Sequence, residues 1–330
     1  MTTCSTFGPP RCGALGLAAA AALLLGGCAY LAVQTAPAKP AAATRSEAAL
    51  RADALFWQTL HGGDYDGIER AMRAVKGAYL KDPGDAVTAA HVGFLHIWRL
   101  SESGRVTPPS PSITDDAVMA RKYFQEAVAL NSSDARFQGF LGSALLAEGA
   151  IHHDEKLRRQ GYYTLMDSVA AFPEFNLFTA GYVMSGLPVE SARYQEALGY
   201  QWRTLDECVG EKVDRREPSF DAYMRLATTE GPKRVCWNSW IAPHNFEGFF
   251  LNMGDMLVKA GDWQTAQKVY ANARLSPTYS DWKFKPQLEA RIAKAADNVT
   301  VFRMAERGKT AGEALMMNQS VFSCMACHQQ

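Results

Sequence analysis

The chain has 330 residues, with 34 Lys and Arg against 34 Asp and Glu and a formal net charge of zero. That balance leaves no excess of basic charge for a polyanion, so nucleic acid is excluded as an expected partner. Once the N-terminal signal and tether described below are removed, the length left suits one large domain or an elongated repeat array. Residues 1–12 are short and polar, with Arg11 as the only positive charge, and an apolar run follows from Ala14 through Leu25. The run is too short for a transmembrane helix of about 20 residues and reads as the core of a secretory signal peptide. It ends in Leu25-Gly26-Gly27-Cys28.

Those four residues, placed directly after an apolar core, resemble the bacterial lipobox, in which the Cys is acylated before cleavage. The resemblance implies a signal peptide over 1–27, a mature chain starting at a lipidated Cys28, and a lipid bilayer as its anchor. Ala29 rather than Asp follows Cys28, and by resemblance to enteric lipoproteins this favours the outer membrane, facing the periplasm. Residues 28–46 are mostly Ala, Pro, Thr, Gln and Lys. That composition builds no core and reads as a flexible tether.

From 47 to 300, aromatic residues and Ala recur at helical spacing, and the alternation expected of strands is almost absent. The clearest unit covers 247–277. Phe250, Met253, Gly254 and Leu257 mark a first helix, Gly261-Asp262-Trp263 a turn, Ala266, Tyr270 and Ala273 a second helix, and Pro277 the end. This spacing resembles a tetratricopeptide repeat. Other units are degenerate: Ala120, Phe124 and Ala127 keep the second-helix spacing, Leu141 and Gly142 the first-helix pair, and Gly63-Asp64-Tyr65 a turn. The Pro-rich stretch 107–111 reads as an exposed loop. The expected fold is all-α, a tetratricopeptide-like helical-hairpin solenoid of three to five repeats, whose concave surface would dock the haem, a partner, or both.

Residues 301–330 form the last segment. Val301, Phe302, Met304 and Ala305 begin a helical pattern that continues through Ala311, Ala314, Leu315 and Met316, although Gly308 and Gly312 allow two short helices instead. The chain then ends in Cys324-Met325-Ala326-Cys327-His328-Gln329-Gln330. This C-x-x-C-H resembles the haem-attachment motif of c-type cytochromes. The resemblance implies one covalent haem c, joined through Cys324 and Cys327, with His328 as the proximal iron ligand. Ordinary small cytochromes carry the motif near the start of the domain and a Met ligand downstream. No such residues follow here, so the resemblance extends to haem attachment and not to the small-cytochrome fold.

The distal ligand is open. His244 is the first candidate, in a dense segment just after Cys236, with Asn245 expected to cap the next helix. Met316, Met317, Met253 and Met256 are alternatives, as is a five-coordinate iron. His91 and His96 read as core or surface residues, His152 and His153 as exposed, and His61 as preceding a turn. With Cys4 and Cys12 lost in the signal, Cys28 lipidated and Cys324 and Cys327 on haem, Cys208 and Cys236 remain. They are expected to pair as a disulfide in an oxidising compartment; two buried thiols, or a four-Cys metal site with Cys324 and Cys327, are the alternatives.

The expected function is an exported, lipid-anchored monohaem cytochrome that transfers electrons to a redox partner protein at the cell envelope, a carrier rather than a catalyst. One alternative is a haem-free adaptor for envelope complexes. Another is a haem enzyme or gas sensor with an open iron site.

Overall fold

The computed structural model describes residues 31–106, 108, 111–224, 231–236, 245–306 and 315–329. The lipobox residues, Cys28, Gly308, Gly312 and His244 lie outside them. The chain divides into two compact units, Met1–Pro40 and Ala41–Gln330. In the first, residues 31–34 are helical and the Thr35 hydroxyl donates back to the Leu31 carbonyl at 2.7 Å.

The second unit is all-α, with no strand among the described residues. Its helices are α1 (Glu47–His61), α2 (Ile68–Lys81), α3 (Ala86–Ser101), α4 (Ile113–Leu130), α5 (Ala135–Ile151), α6 (Glu155–Ala171) and α7 (Pro173–Met184). They continue as α8 (Ala192–Val209), α9 (Phe246–Ala260), α10 (Trp263–Ala271), α11 (Lys285–Ala293), α12 (Ala295–Glu306) and α13 (Ser323–His328). None is long and apolar enough to cross a membrane.

Short polar residues set the helix starts. The side chains of Ser46, Asp85, Asp134, Asp154, Ser191, Asn245 and Asp262 each accept from a backbone N–H in the first turn of the helix that follows. Each satisfies a donor that the helix itself cannot, worth about 1 kcal/mol. Left-handed glycines, Gly210 (φ 80°) and Gly261 (φ 101°), end α8 and α9.

Consecutive helices pack as neighbours, and small residues bring them together. A Cβ added to Gly142 on α5 would lie 2.9 Å from the Gly161 carbonyl oxygen of α6. On α9, Gly254 leaves the space that the Tyr270 ring of α10 fills. The strongest repeat unit is thus a helical hairpin, α9 and α10, closed by a 3-10 turn over Asn272–Leu275. The last array helix, α12, begins at Ala295, ahead of the segment where sequence placed it.

Phenylalanines join the odd-numbered helices into a row. Ring centroids are 5.9 Å apart from Phe56 on α1 to Phe94 on α3, 5.4 Å from Phe94 to Phe140 on α5, and 5.9 Å from Phe140 to Phe175 on α7. Phe178 on α7 then meets Phe249 on α9 at 5.7 Å. Such ring pairs add to the burial of the rings themselves.

The compact unit begins before α1. Ala42 donates its N–H to the Gly84 carbonyl at 2.9 Å, and Arg45 pairs with Asp85 at 3.0 Å and Asp53 at 3.2 Å. Residues 41–46, assigned to the tether on composition, therefore pack against α1 and the start of α3. Cys208 and Cys236 are joined by a disulfide, S–S 2.06 Å, across a separation of 28 residues. Opening that bridge by Cys208→Ser with Cys236→Ser releases loop entropy to the unfolded chain. The expected loss, read by urea unfolding, is roughly 3–4 kcal/mol.

His91 on α3 stacks on Phe56, 3.9 Å between centroids, with Nδ1 3.1 Å from Asp53. Burial dominates and pushes its pKa down to about 3, and Asp53 is already engaged by Arg45. The folded protein therefore holds a neutral imidazole, while the unfolded chain protonates near 6.5. Its contribution is complete above pH 6.5 and is lost as pH falls towards 3. Unfolding curves between pH 6 and 4 should lose on the order of 1 kcal/mol per pH unit from this group. His91→Gln should flatten that limb relative to the parent.

Candidate functional site

Helix α13 is six residues long and contains the C-x-x-C-H. A helix this short does not persist in water by itself, so remote residues must hold it. The Glu102 carboxylate, just past α3, accepts from the N–H of Cys324 at 3.0 Å and of Met325 at 3.1 Å. Trp282 Nε1 donates to the Ala326 carbonyl at 3.0 Å. Asn245 donates its backbone N–H to the Cys327 carbonyl and its side-chain amide to the Gln329 carbonyl, both at 2.8 Å. His61 at the end of α1 meets the His328 carbonyl through Nδ1 at 2.9 Å.

Packing repeats this pattern. Met325 joins the hydrophobic cluster of α1, α2 and α3, whereas Ala326 and Cys327 join the larger cluster built from α6 to α12. The tail therefore fastens the first helices of the unit to the last ones. On α9, a Cβ at Gly248 would lie 2.5 Å from the Ala326 carbonyl oxygen and 2.6 Å from Cys327 Sγ. Only glycine admits α13 at this distance. Upstream, the buried Asp255 carboxylate accepts from Met317 N–H at 2.7 Å and from the Tyr270 hydroxyl at 2.6 Å, and pairs with Arg291 at 3.1 Å.

Cys324, Cys327 and His328 line one cavity of about 290 Å³. Its other walls come from α3 (Phe94, Ile97, Leu100), α5 (Phe140) and α7 (Phe178, Tyr182), with Asn318 and Ser323 at the tail. The lining is mostly apolar, the ordinary character of a cofactor pocket. Phe94 meets the His328 imidazole edge to face at 5.6 Å and 88°. Cys324 keeps some exposure and Cys327 is buried; both are free thiols.

Burial pushes the Cys324 thiol up to about 12, with the Glu102 charge adding to the effect. Cys324 Sγ lies 2.9 Å from the Ser101 hydroxyl. The Cys327 thiol is likewise pushed up, first by burial, then by Cys324 and Glu247. Neutral thiols are weak nucleophiles and weak metal ligands. In the docked tail the protonated thiol is the favoured form of both cysteines. The disulfide at Cys208 and Cys236 also removes those sulfurs from a four-Cys metal site. No group of three or more His, Cys, Asp and Glu side chains among the described residues is arranged to hold a metal ion.

The other candidates are dispersed. Met316 and Met317 are buried beside Asp255, and Met253 and Met256 are buried within α9. None of the four lines the cavity. His96 is buried, its Nδ1 2.6 Å from Asp116; His152 and His153 are exposed. Asn245 caps α9 as expected, and it also binds the tail. Glu102, Trp282, Gly248 and His61 had no assigned role in the sequence reading. No signal local to Glu102 marks its role, because its burial follows only from the fold.

No family model, curated protein or solved structure matches the chain.

Gly248→Ala should displace the tail at a cost of roughly 1–3 kcal/mol, as other overpacked sites do. The check is alkylation of Cys327 in the haem-free protein, which should accelerate while the far-ultraviolet helical signal stays unchanged.

Proposed function

We propose that the chain is an exported, lipid-anchored monohaem c-type cytochrome that carries electrons at the cell envelope. One observation carries the reading: both thiols and the imidazole of the C-x-x-C-H line a single apolar cavity. The donor set fits a haem c. Cys324 and Cys327 would each add S–H across a haem vinyl group, forming an S–C bond and placing the hydrogen on the neighbouring carbon, with no net oxidation. His328 would be the proximal ligand. When bound, the haem supplies a one-electron couple. The residues of α3, α5 and α7 exclude water from its faces, and Glu102, Asn245 and Trp282 fix the backbone that holds it.

Cys327 is buried in the docked state, so a haem vinyl group would reach its sulfur more readily with the tail undocked. His244 is proposed as the distal ligand. The reason is sequence adjacency: the next residue, Asn245, is hydrogen-bonded to the Cys327 carbonyl. The phenylalanine row along the odd-numbered helices supports a tetratricopeptide-like solenoid whose inner row carries the cavity. A redox partner protein would dock at its mouth. Lipidated Cys28 would hold the assembly on the outer membrane, facing the periplasm. A second reading, a haem enzyme or gas sensor with an open iron site, is favoured by the burial of all four candidate methionines away from the cavity.

The test is expression of the full chain in a host that matures c-type cytochromes, followed by a haem-stained denaturing gel and reduced spectra. A covalent stain, lost in Cys324→Ser with Cys327→Ser, is expected. His244→Ala should alter the reduced spectrum and open the iron to carbon monoxide; rapid binding by the parent itself would favour the open-site reading. A colourless parent, beside a control cytochrome that matures normally, overturns the haem reading and leaves an adaptor lipoprotein.

A further inference from the structure

We propose that Glu102 both positions the C-x-x-C-H helix and tunes its centre, its buried negative charge lowering the reduction potential of the iron. The inference rests on the haem reading above.

The geometry is asymmetric. Glu102 is 0% exposed and follows α3 directly. Its Oε1 accepts from the Cys324 and Met325 N–H groups at 3.0 and 3.1 Å. Its Oε2 accepts from Arg105 Nε at 2.6 Å. Arg105 in turn lies over the Tyr65 ring, 4.9 Å from its centroid, and its side chain is 31% exposed. Burial raises the Glu102 pKa, while the Arg105 ion pair and the backbone N–H donors oppose that rise and favour the carboxylate. The carboxylate is thus enclosed, while its cation is partly in water. Solvent screens the guanidinium more than the carboxylate, so a net negative field remains at the motif.

Two backbone donors could be satisfied by any short polar side chain. A carboxylate that also draws an arginine to the spot is a costlier choice, because a buried charge must be paired. What the charge adds is electrostatic. The ferric state is the more positive one, and an enclosed anion beside the attachment site stabilises it over the ferrous state. Second-shell charge and hydrogen bonding are among the protein's means of setting haem potentials. The same field acts on the haem-free protein: after burial, Glu102 is the next cause raising the Cys324 thiol.

Potentiometric titration of the haem-loaded chain tests the proposal. Glu102→Gln should move the equilibrium towards the reduced form by on the order of tenfold, about 59 mV for one electron. Glu102→Asp, which keeps the charge, should stay near the parent. If Glu102→Gln alone does not load haem, Glu102→Gln with Arg105→Gln leaves no unpaired charge and should still shift upward. A Glu102→Gln protein, or the double variant in its place, with the parent potential overturns the proposal.

The haem-free chain gives a second readout that does not depend on the haem reading. Glu102→Gln should speed alkylation of Cys324 and leave Cys327 unchanged. Equal acceleration of both thiols would mean that the tail has opened and that Glu102 is only structural. If the parent takes up no haem, the gel shows it, and the haem reading fails separately from this charge effect.

Discussion

The site depends on one constraint: a helix of six residues must be held from outside. Glu102 supplies the acceptor at its start, and Asn245 and His61 supply donors at its end. These partners come from the end of α3, the start of α9 and the end of α1, so the tail docks only where all three elements are already in place. Its side chains enforce the same order, because Met325 and Cys327 belong to different hydrophobic clusters. The chain terminus thus acts as a clasp between the early and late helices, and the motif occupies the clasp itself.

This placement bears on the chemistry. A c-type motif near the start of a small domain can be wrapped by the chain that follows. In this chain the surface facing Cys324, Cys327 and His328 is made by α3, α5 and α7 instead. Of the phenylalanine row, Phe94, Phe140 and Phe178 line the cavity. The apolar walls that would exclude water from a haem also raise the pKa of both thiols.

Much of the local structure was legible in the sequence. Asn245 as a cap, the α9–α10 hairpin with its Gly261-Asp262 turn and the exposure of His152 and His153 follow from signals spanning a few residues. The long-range arrangement was not legible. Glu102 and Cys324 are separated by 222 positions, and nothing local to either marks the contact. Gly248 reads as an ordinary helical glycine until the tail is seen against it. Arg45 sits in a stretch whose composition argues for a tether, yet two carboxylates, Asp53 and Asp85, draw it into the fold. His91 and His96 lie five positions apart, and the sequence left open whether they are core or surface residues. Both are buried, on different sides of α3: His91 against Phe56 and Asp53 of α1, and His96 against Asp116 of α4.

The most direct measurement of the account is a crystal structure of the haem-loaded chain. The expected result is a macrocycle between α3, α5 and α7, in contact with Phe94, Phe140 and Phe178, and His328 on the iron. A macrocycle attached through Cys324 and Cys327 but lying outside this cavity, with α13 detached from Glu102 and Asn245, would contradict it.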